Sequence, residues 1–261
     1  MMTLYQIDAF AERAFTGNPA AVVLLKEWPS DTLMKQIAME NNLSETAFLV
    51  KKTEDTYALR WFTPATEVDL CGHATLASAW VLFNEEKISA ASLHFETRSG
   101  ILTVQKEGDA LVMDFPADTL QPHTTDVPEL LYGFGVQARE VYKGVSDWLV
   151  VLDSQAEVQQ IVPDLKTLKK IPARGIIVTA KGDDCDFVSR FFGPNCGVDE
   201  DPVTGSAHTT LSVYWANILK KNTFTARQLS KRGGTVYCTL AGDRVFLKGK
   251  ARLFLKGEIY L

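Results

Sequence analysis

The sequence predicts an α+β chain of two similar halves, each a mostly antiparallel set of strands around one sheltered helix. Three observations predict it. Short strand-like runs separated by turn residues recur along the whole length. Two helical stretches, Gly72 to Phe83 and Gly205 to Leu219, are almost free of charge and therefore buried on all sides. The residues that open them match, Cys71-Gly72-His73-Ala74 against Thr204-Gly205-Ser206-Ala207. With 261 residues, 46% of them hydrophobic and 23% charged, the chain has apolar material for one large or two modest cores, and disorder is excluded as its main state.

Leu4 to Phe10, Ala20 to Leu25, Thr46 to Lys51 and Ala58 to Phe62 mix β-branched, aromatic and alternating residues and read as strands. Between them Ser30 is the expected N-cap of a helix over Asp31 to Glu40, with Leu33, Met34 and Ile37 on one face. After the first sheltered helix, strands are expected at Leu93 to Thr97, Ile101 to Gln105 and Ala110 to Phe115, the last two joined as a hairpin through Glu107-Gly108-Asp109. The polar, proline-containing stretch Ala117 to Glu129 reads as a domain boundary. It gives an N-terminal domain 1–117 and a C-terminal domain 118–261, whose final strand is allowed to return to the first. The second half repeats the scheme with strands near Arg139 to Val141 and Trp148 to Leu152, an amphipathic helix around Glu157 to Lys169, and strands near Gly175 to Thr179 and Phe187 to Phe192. Glycine-punctuated strands fill Arg227 to Leu261.

Composition removes several function classes. The 27 basic and 32 acidic residues leave a net charge of -5 with no basic block, so nucleic acid is not an expected partner. No cationic-then-apolar leader opens the chain and no apolar run is long enough to span a bilayer, so a cytoplasmic protein with no membrane role is expected. Cys71, Cys185, Cys196 and Cys238 are scattered without a CxxC pair, which suits reduced thiols, and His73, His94, His123 and His208 are equally dispersed. Neither metal nor cofactor is expected. Gly133 to Ala138 matches the dinucleotide pattern GxGxxA, but a helical turn precedes it and a strand follows, the wrong context for that fingerprint.

The matched openings carry the functional signal. A helix N-terminus offers unsatisfied N–H groups and a positive dipole end, and glycine lets an anion reach the backbone. If the two termini converge, the ligand is a small carboxylate. The other reading, in which Gly72 and Gly205 only permit tight entry into core helices, stands equally at this point.

Longer motifs go further. Glu40-Asn41-Asn42-Leu43-Ser44-Glu45-Thr46-Ala47-Phe48, the run from Phe62 to Thr75, Thr97-Arg98-Ser99-Gly100, Ser189 to Pro194 and the run from Gly197 to His208 resemble the phenazine-biosynthesis PhzF family. Phe15-Thr16-Gly17-Asn18-Pro19 and Lys231-Arg232-Gly233-Gly234 extend the resemblance over nearly the whole chain. It implies the diaminopimelate epimerase-like fold, two pseudo-symmetric domains with the active site in the cleft between them. It implies an isomerase that moves a proton between carbons of a small carboxylate without cofactor or metal, and a homodimer.

By that resemblance Glu45 is the acid/base, its pKa expected to be raised by burial, and Ser44 orients it or contacts substrate. Residues alone would make Glu45 an exposed carboxylate between a helix and a strand. His73, in the first helical turn, is expected to be neutral under the helix dipole and to bond substrate or relay a proton; the other reading is a histidine capping its own turn. Asp201 becomes a substrate-positioning carboxylate, while Asp199 and Glu200 remain solvated loop acids. Gly72, Gly205 and Ser206 hold the anion. Two alternatives accompany this: a thiol-dependent racemase or epimerase using Cys71, which lacks a second cysteine because Thr204 stands opposite, and a binding or interaction protein that kept the fold without turnover. Cys71 itself reads as a small buried residue, a reactive thiolate being the lesser reading.

Overall fold

The computed structural model describes residues 1–123 and 127–261, so residues 124–126, within the expected boundary stretch, lie outside the described part. The chain divides into two compact units, Met1–Asp114 with Lys248–Leu261, and Phe115–Leu247. The return to the first unit therefore begins at Lys248. Among the described residues no helix is long and apolar enough to cross a membrane.

The first unit is built from β1 (Met2–Ala9), β2 (Asn18–Leu25), α1 (Asp31–Asn41), β3 (Glu45–Lys51), β4 (Thr56–Phe62), β5 (Glu67–Val68), α2 (Gly72–Asn84), β6 (Ser92–Thr97), β7 (Gly100–Glu107) and β8 (Ala110–Pro116). β1 lies antiparallel between β2 and a last strand, Ala251–Ile259. Two pairs are parallel, β2 with β3 across α1 and β4 with β6 across α2, because only a helical crossover is long enough to bring the chain back in the same direction. The remaining pairs are antiparallel.

Ser30 caps α1, its hydroxyl accepting the Leu33 N–H at 3.2 Å, and Asn42 ends the helix in a left-handed conformation, which asparagine tolerates. Ser30→Ala removes the acceptor of an otherwise orphaned N–H, and a loss of about 1 kcal/mol is expected in urea denaturation. α2 packs against β1, β2 and β3, with His73 through Ala79 and Val81 through Phe83 all buried. That enclosure explains its lack of charge, since an ionised side chain there would be stranded away from water.

The second unit repeats the plan. Its elements are β9 (Gln121–Pro122), α3 (Pro128–Phe134), β10 (Glu140–Lys143), β11 (Asp147–Val151), α4 (Gln155–Gln160), α5 (Leu165–Leu168), β12 (Gly175–Lys181), β13 (Phe187–Gly193), β14 (Val198–Asp201), α6 (Gly205–Leu219), β15 (Thr223–Gln228), β16 (Gly234–Ala241) and β17 (Arg244–Gly249). β11 and β12 are parallel across α4 and α5, and β13 and β15 are parallel across α6, as their counterparts are across α1 and α2. Short β5 and β14 pair back on β4 and β13 and feed the chain into α2 and α6.

Three expectations are corrected. The helix placed over Glu157 to Lys169 is two helices, because Pro163 cannot sit in a helix interior and turns Val162 away from helical geometry. Asp164 restarts it, accepting the Lys166 and Thr167 N–H groups. The strand expected to open the tail at Arg227 starts at Thr223. The acids expected to lie free in a loop ahead of the second central helix sit on β14, and Glu200 forms a two-pronged pair with Arg190, 2.7 Å to Nε and 3.0 Å to Nη2.

Candidate active site

Helix capping divides the described helices, and α3, behind Val127, shares with the two central helices the lack of a side-chain cap. α1, α4 and α5 each have a side-chain N-cap, from Ser30, Ser154 and Asp164. α2 and α6 start from extended Cys71 and Thr204, neither of which gives a side-chain cap. Among the described residues the first N–H groups of α6 find no side-chain partner in their own N-cap. The tight-entry reading fails for Gly205: its φ is not left-handed, and a Cβ there would meet only Leu247 Cδ1 at 3.7 Å among the described residues, an ordinary contact.

In the first unit β3 starts at Glu45 beside Ala20 of the parallel β2, two residues in from Asn18, and His73 at the start of α2 lies against both Asn18 and Glu45. The left-handed Asn42 makes the sharp exit from α1 that places Glu45 as the first residue of β3, and Asn41 secures that corner by donating to Thr46 Oγ1 at 3.0 Å. Glu45 is not the exposed carboxylate that its neighbours in sequence suggest: its side chain is 14% exposed, and Oε2 lies 3.1 Å from Nε2 of His73, itself 7% exposed. Oε2 is buried and accepts no well-aligned hydrogen bond among the described residues. Nδ1 of His73 lies 3.2 Å from the Asn18 amide and 3.5 Å from Cys71 Sγ. Ser44 is half-buried, one residue ahead of β3.

The electrostatics of this cluster correct the neutral-histidine expectation. Burial pushes the His73 imidazole toward the uncharged form, but the Cys71 sulfur and the Glu45 carboxylate outweigh it and hold His73 well above its ordinary value. The helix dipole is the weaker influence, because a carboxylate at contact distance in a largely buried site acts more strongly than a half-charge spread over a helix end. Cys71 is pushed up to about 11, by burial first and then by the Glu45 charge, so it is a thiol at neutral pH. The reactive-thiolate reading of Cys71 is not supported.

In the second unit the chain ahead of α6 is pinned by Gln228, which is buried. Its Oε1 accepts the Thr204 N–H at 2.8 Å, and its Nε2 donates to the Asp201 carbonyl at 2.7 Å. The Thr204 hydroxyl donates to Asp201 Oδ2 at 2.5 Å, fixing that carboxylate beside the helix start. Ser206 Oγ accepts from Arg174 Nη1 at 3.0 Å, and Arg174 is itself held on Asp147, 3.0 Å from Nε to Oδ1. Sequence reasoning missed Gln228 and Arg174, for which no local pattern exists, and met Asn18 only within a motif.

His208, one turn into α6, is fully buried, with Nδ1 donating to the Thr204 carbonyl at 2.8 Å and Nε2 without a hydrogen-bond partner among the described residues. Burial lowers its pKa from 6.5 to about 4. The folded state thus binds this proton more weakly than the unfolded chain. The stabilisation is fully present above pH 6.5 and is lost as pH falls from there through about 4. A loss of roughly 3 kcal/mol over that window is expected from this group. Urea denaturation at several pH values should show a shallower acid slope in His208→Gln than in the wild type.

Comparison with known proteins places this arrangement. The profile of the phenazine biosynthesis-like protein family, PhzC-PhzF, matches residues 7–257. The chain belongs to this family. A Pseudomonas aeruginosa relative named an uncharacterized isomerase is 51% identical over 261 residues, covering 100% of this chain and 99% of its own. The crystal structure of a PhzF family protein from Enterococcus faecalis superimposes with a TM-score of 0.96 at 48% identity, covering 100% of this chain and 99% of that one. A predicted epimerase from Pseudomonas aeruginosa shares the fold, with a TM-score of 0.79 at 22% identity and full coverage of both chains, 100% each. The PhzF chain thus has the PhzF-like, diaminopimelate epimerase-like fold, and its curated relatives include proteins named as isomerases.

Proposed function

We propose that this PhzF-family protein is a cofactor-independent isomerase that moves a proton between carbons of a small carboxylate, with Glu45 as the acid/base. The observation that carries the reading is the Glu45 carboxylate, buried at the start of β3 with an Oε2 that accepts no well-aligned hydrogen bond among the described residues and a histidine 3.1 Å away. Such an oxygen is ready to take a proton from a bound ligand.

The chemistry balances within the substrate. Glu45 takes a proton from an acidified carbon, the electron pair left behind delocalises toward the substrate's own unsaturation or carboxylate, and the same proton returns to a different carbon. No electrons enter or leave. His73, held toward its charged form, offsets the negative charge that moves onto the substrate. Ser44 orients the carboxylate. In the first unit the helix start at Gly72 binds the anionic group; in the second, the helix start at Gly205-Ser206 offers an anion site of the same kind and Asp201 a partner for an amine or hydroxyl.

Proton NMR in D₂O tests this with a panel of amino, hydroxy and cyclohexadiene carboxylates on wild type, Glu45→Gln and Cys71→Ser. Deuterium entering at carbon, lost in Glu45→Gln and kept in Cys71→Ser, is the expected result. Exchange that survives in Glu45→Gln and disappears in Cys71→Ser would move the chemistry to the thiol. A panel that stabilises the protein thermally without exchanging would indicate a binding protein.

A further inference from the structure

Asn18 heads an otherwise apolar strand, β2, and is fully buried. Gly17 puts it there. Its φ of +75° is left-handed, and a Cβ at this position would collide with the Ala9 carbonyl, so the turn into β2 needs glycine. Asn18 then pairs with Ala9 of β1, which fixes its backbone. A buried amide offsets its desolvation cost only by meeting polar partners, and one of them is His73 Nδ1, 3.2 Å from Asn18 Nδ2. The two ring nitrogens of His73 therefore face different groups. Nε2 lies 3.1 Å from Glu45 Oε2, whereas Nδ1 faces the Asn18 amide and, at 3.5 Å, the Cys71 sulfur.

We propose that Asn18 is a positioning residue that fixes the His73 ring with a proton on Nε2, toward Glu45. This role rests on the reading of Glu45 as the acid/base. With Nδ2 donating to Nδ1, a neutral imidazole holds its one N–H at Nε2. The other tautomer would set a bare Nε2 against the Glu45 oxygen, two acceptors in contact. When the ring is charged, the same amide turns and accepts from Nδ1–H with its oxygen. Asparagine thus serves both states of the histidine, whereas an aspartate could only accept and a leucine could do neither. Cys71 is no substitute, because a thiol is a weak donor and a weak acceptor.

The tautomer is read on the full chain carrying isotope-labelled histidine, by long-range proton–nitrogen NMR at mildly alkaline pH, with His73 assigned by its loss in His73→Gln. Glu45→Gln is the background, because it removes the carboxylate that would by itself hold the Nε2 proton. There Nδ1 should resonate as a bare, pyridine-type nitrogen and Nε2 as a protonated, pyrrole-type one. Adding Asn18→Asp should place a proton on Nδ1, adding Asn18→Leu should give a mixture of the two tautomers, and adding Cys71→Ala should change neither nitrogen. Circular dichroism melts confirm folding, and Asn18→Asp, nearly the same size, carries the test alone if Asn18→Leu does not fold. An Nδ1 already protonated in the background, one that stays bare in either folded Asn18 variant, or one that gains its proton in Cys71→Ala would overturn the proposal. No substrate is present, so a negative result here leaves the deuterium-exchange experiment untouched, and a failed exchange experiment leaves the tautomer standing.

Discussion

Glu45→Gln is expected to slow deuterium exchange at substrate carbon by roughly 10²- to 10⁴-fold, the range that a positioned general acid or base contributes. Glutamine keeps the size and one acceptor oxygen of the side chain but cannot take a proton, so the loss measures proton transfer and not packing. The substitution also removes the charge that holds His73 above its ordinary value while leaving burial, which acts in the opposite direction. The His73 titration midpoint, followed on its ring protons by NMR, should therefore move down in the variant. A variant that exchanges at the wild-type rate with a lowered His73 midpoint would confirm the ion pair and sink the catalytic role. Unchanged exchange together with an unchanged midpoint would sink both.

The largest stability effect is expected at Arg190, on β13. Only 9% exposed, it places Nε and Nη2 on the two oxygens of Glu200 and gives Nη1 to the Ile161 and Val158 carbonyls at 2.8 and 3.2 Å. Those carbonyls end α4 and begin the turn at Pro163, so one guanidinium satisfies acceptors that a broken helix leaves exposed. Arg190→Met fills much of the space and supplies none of the donors. Removing one member of a buried pair costs about 3–5 kcal/mol, and because the Glu200 side chain is 24% exposed the lower end, near 3 kcal/mol, is expected. Urea denaturation of Arg190→Met, Glu200→Gln and the double variant would give the coupling directly. Equal and additive small losses would mean that the pair is only a surface contact.

Several features were legible because a short stretch of chain determines them. The two charge-free helical runs, the Ser30 cap and the turn at Glu107-Gly108-Asp109 depend on neighbours a few residues apart. The break at Val162-Pro163 was equally local and was overridden by the apolar spacing around it, although a proline's missing N–H outweighs any amphipathic pattern. β5 and β14, of two and four residues, are too short to show a period, which is why Glu200 read as a loop acid.

By itself the sequence determined two similar halves, a central helix in each that opens on a glycine, and motifs that place the chain among PhzF proteins. These follow from local periodicity and from residue identities that need no partner to be recognised. Only the tertiary structure decided the state of the site. Asn18, Glu45, Cys71 and His73 are far apart in sequence and meet because the parallel pairing of β2 with β3 sets Glu45 beside Ala20, two residues in from Asn18, and His73 at the start of α2 lies against both. In that enclosure the neighbouring Cys71 and Glu45, not the helix dipole, hold His73 above its ordinary value, and burial first of all keeps Cys71 a thiol.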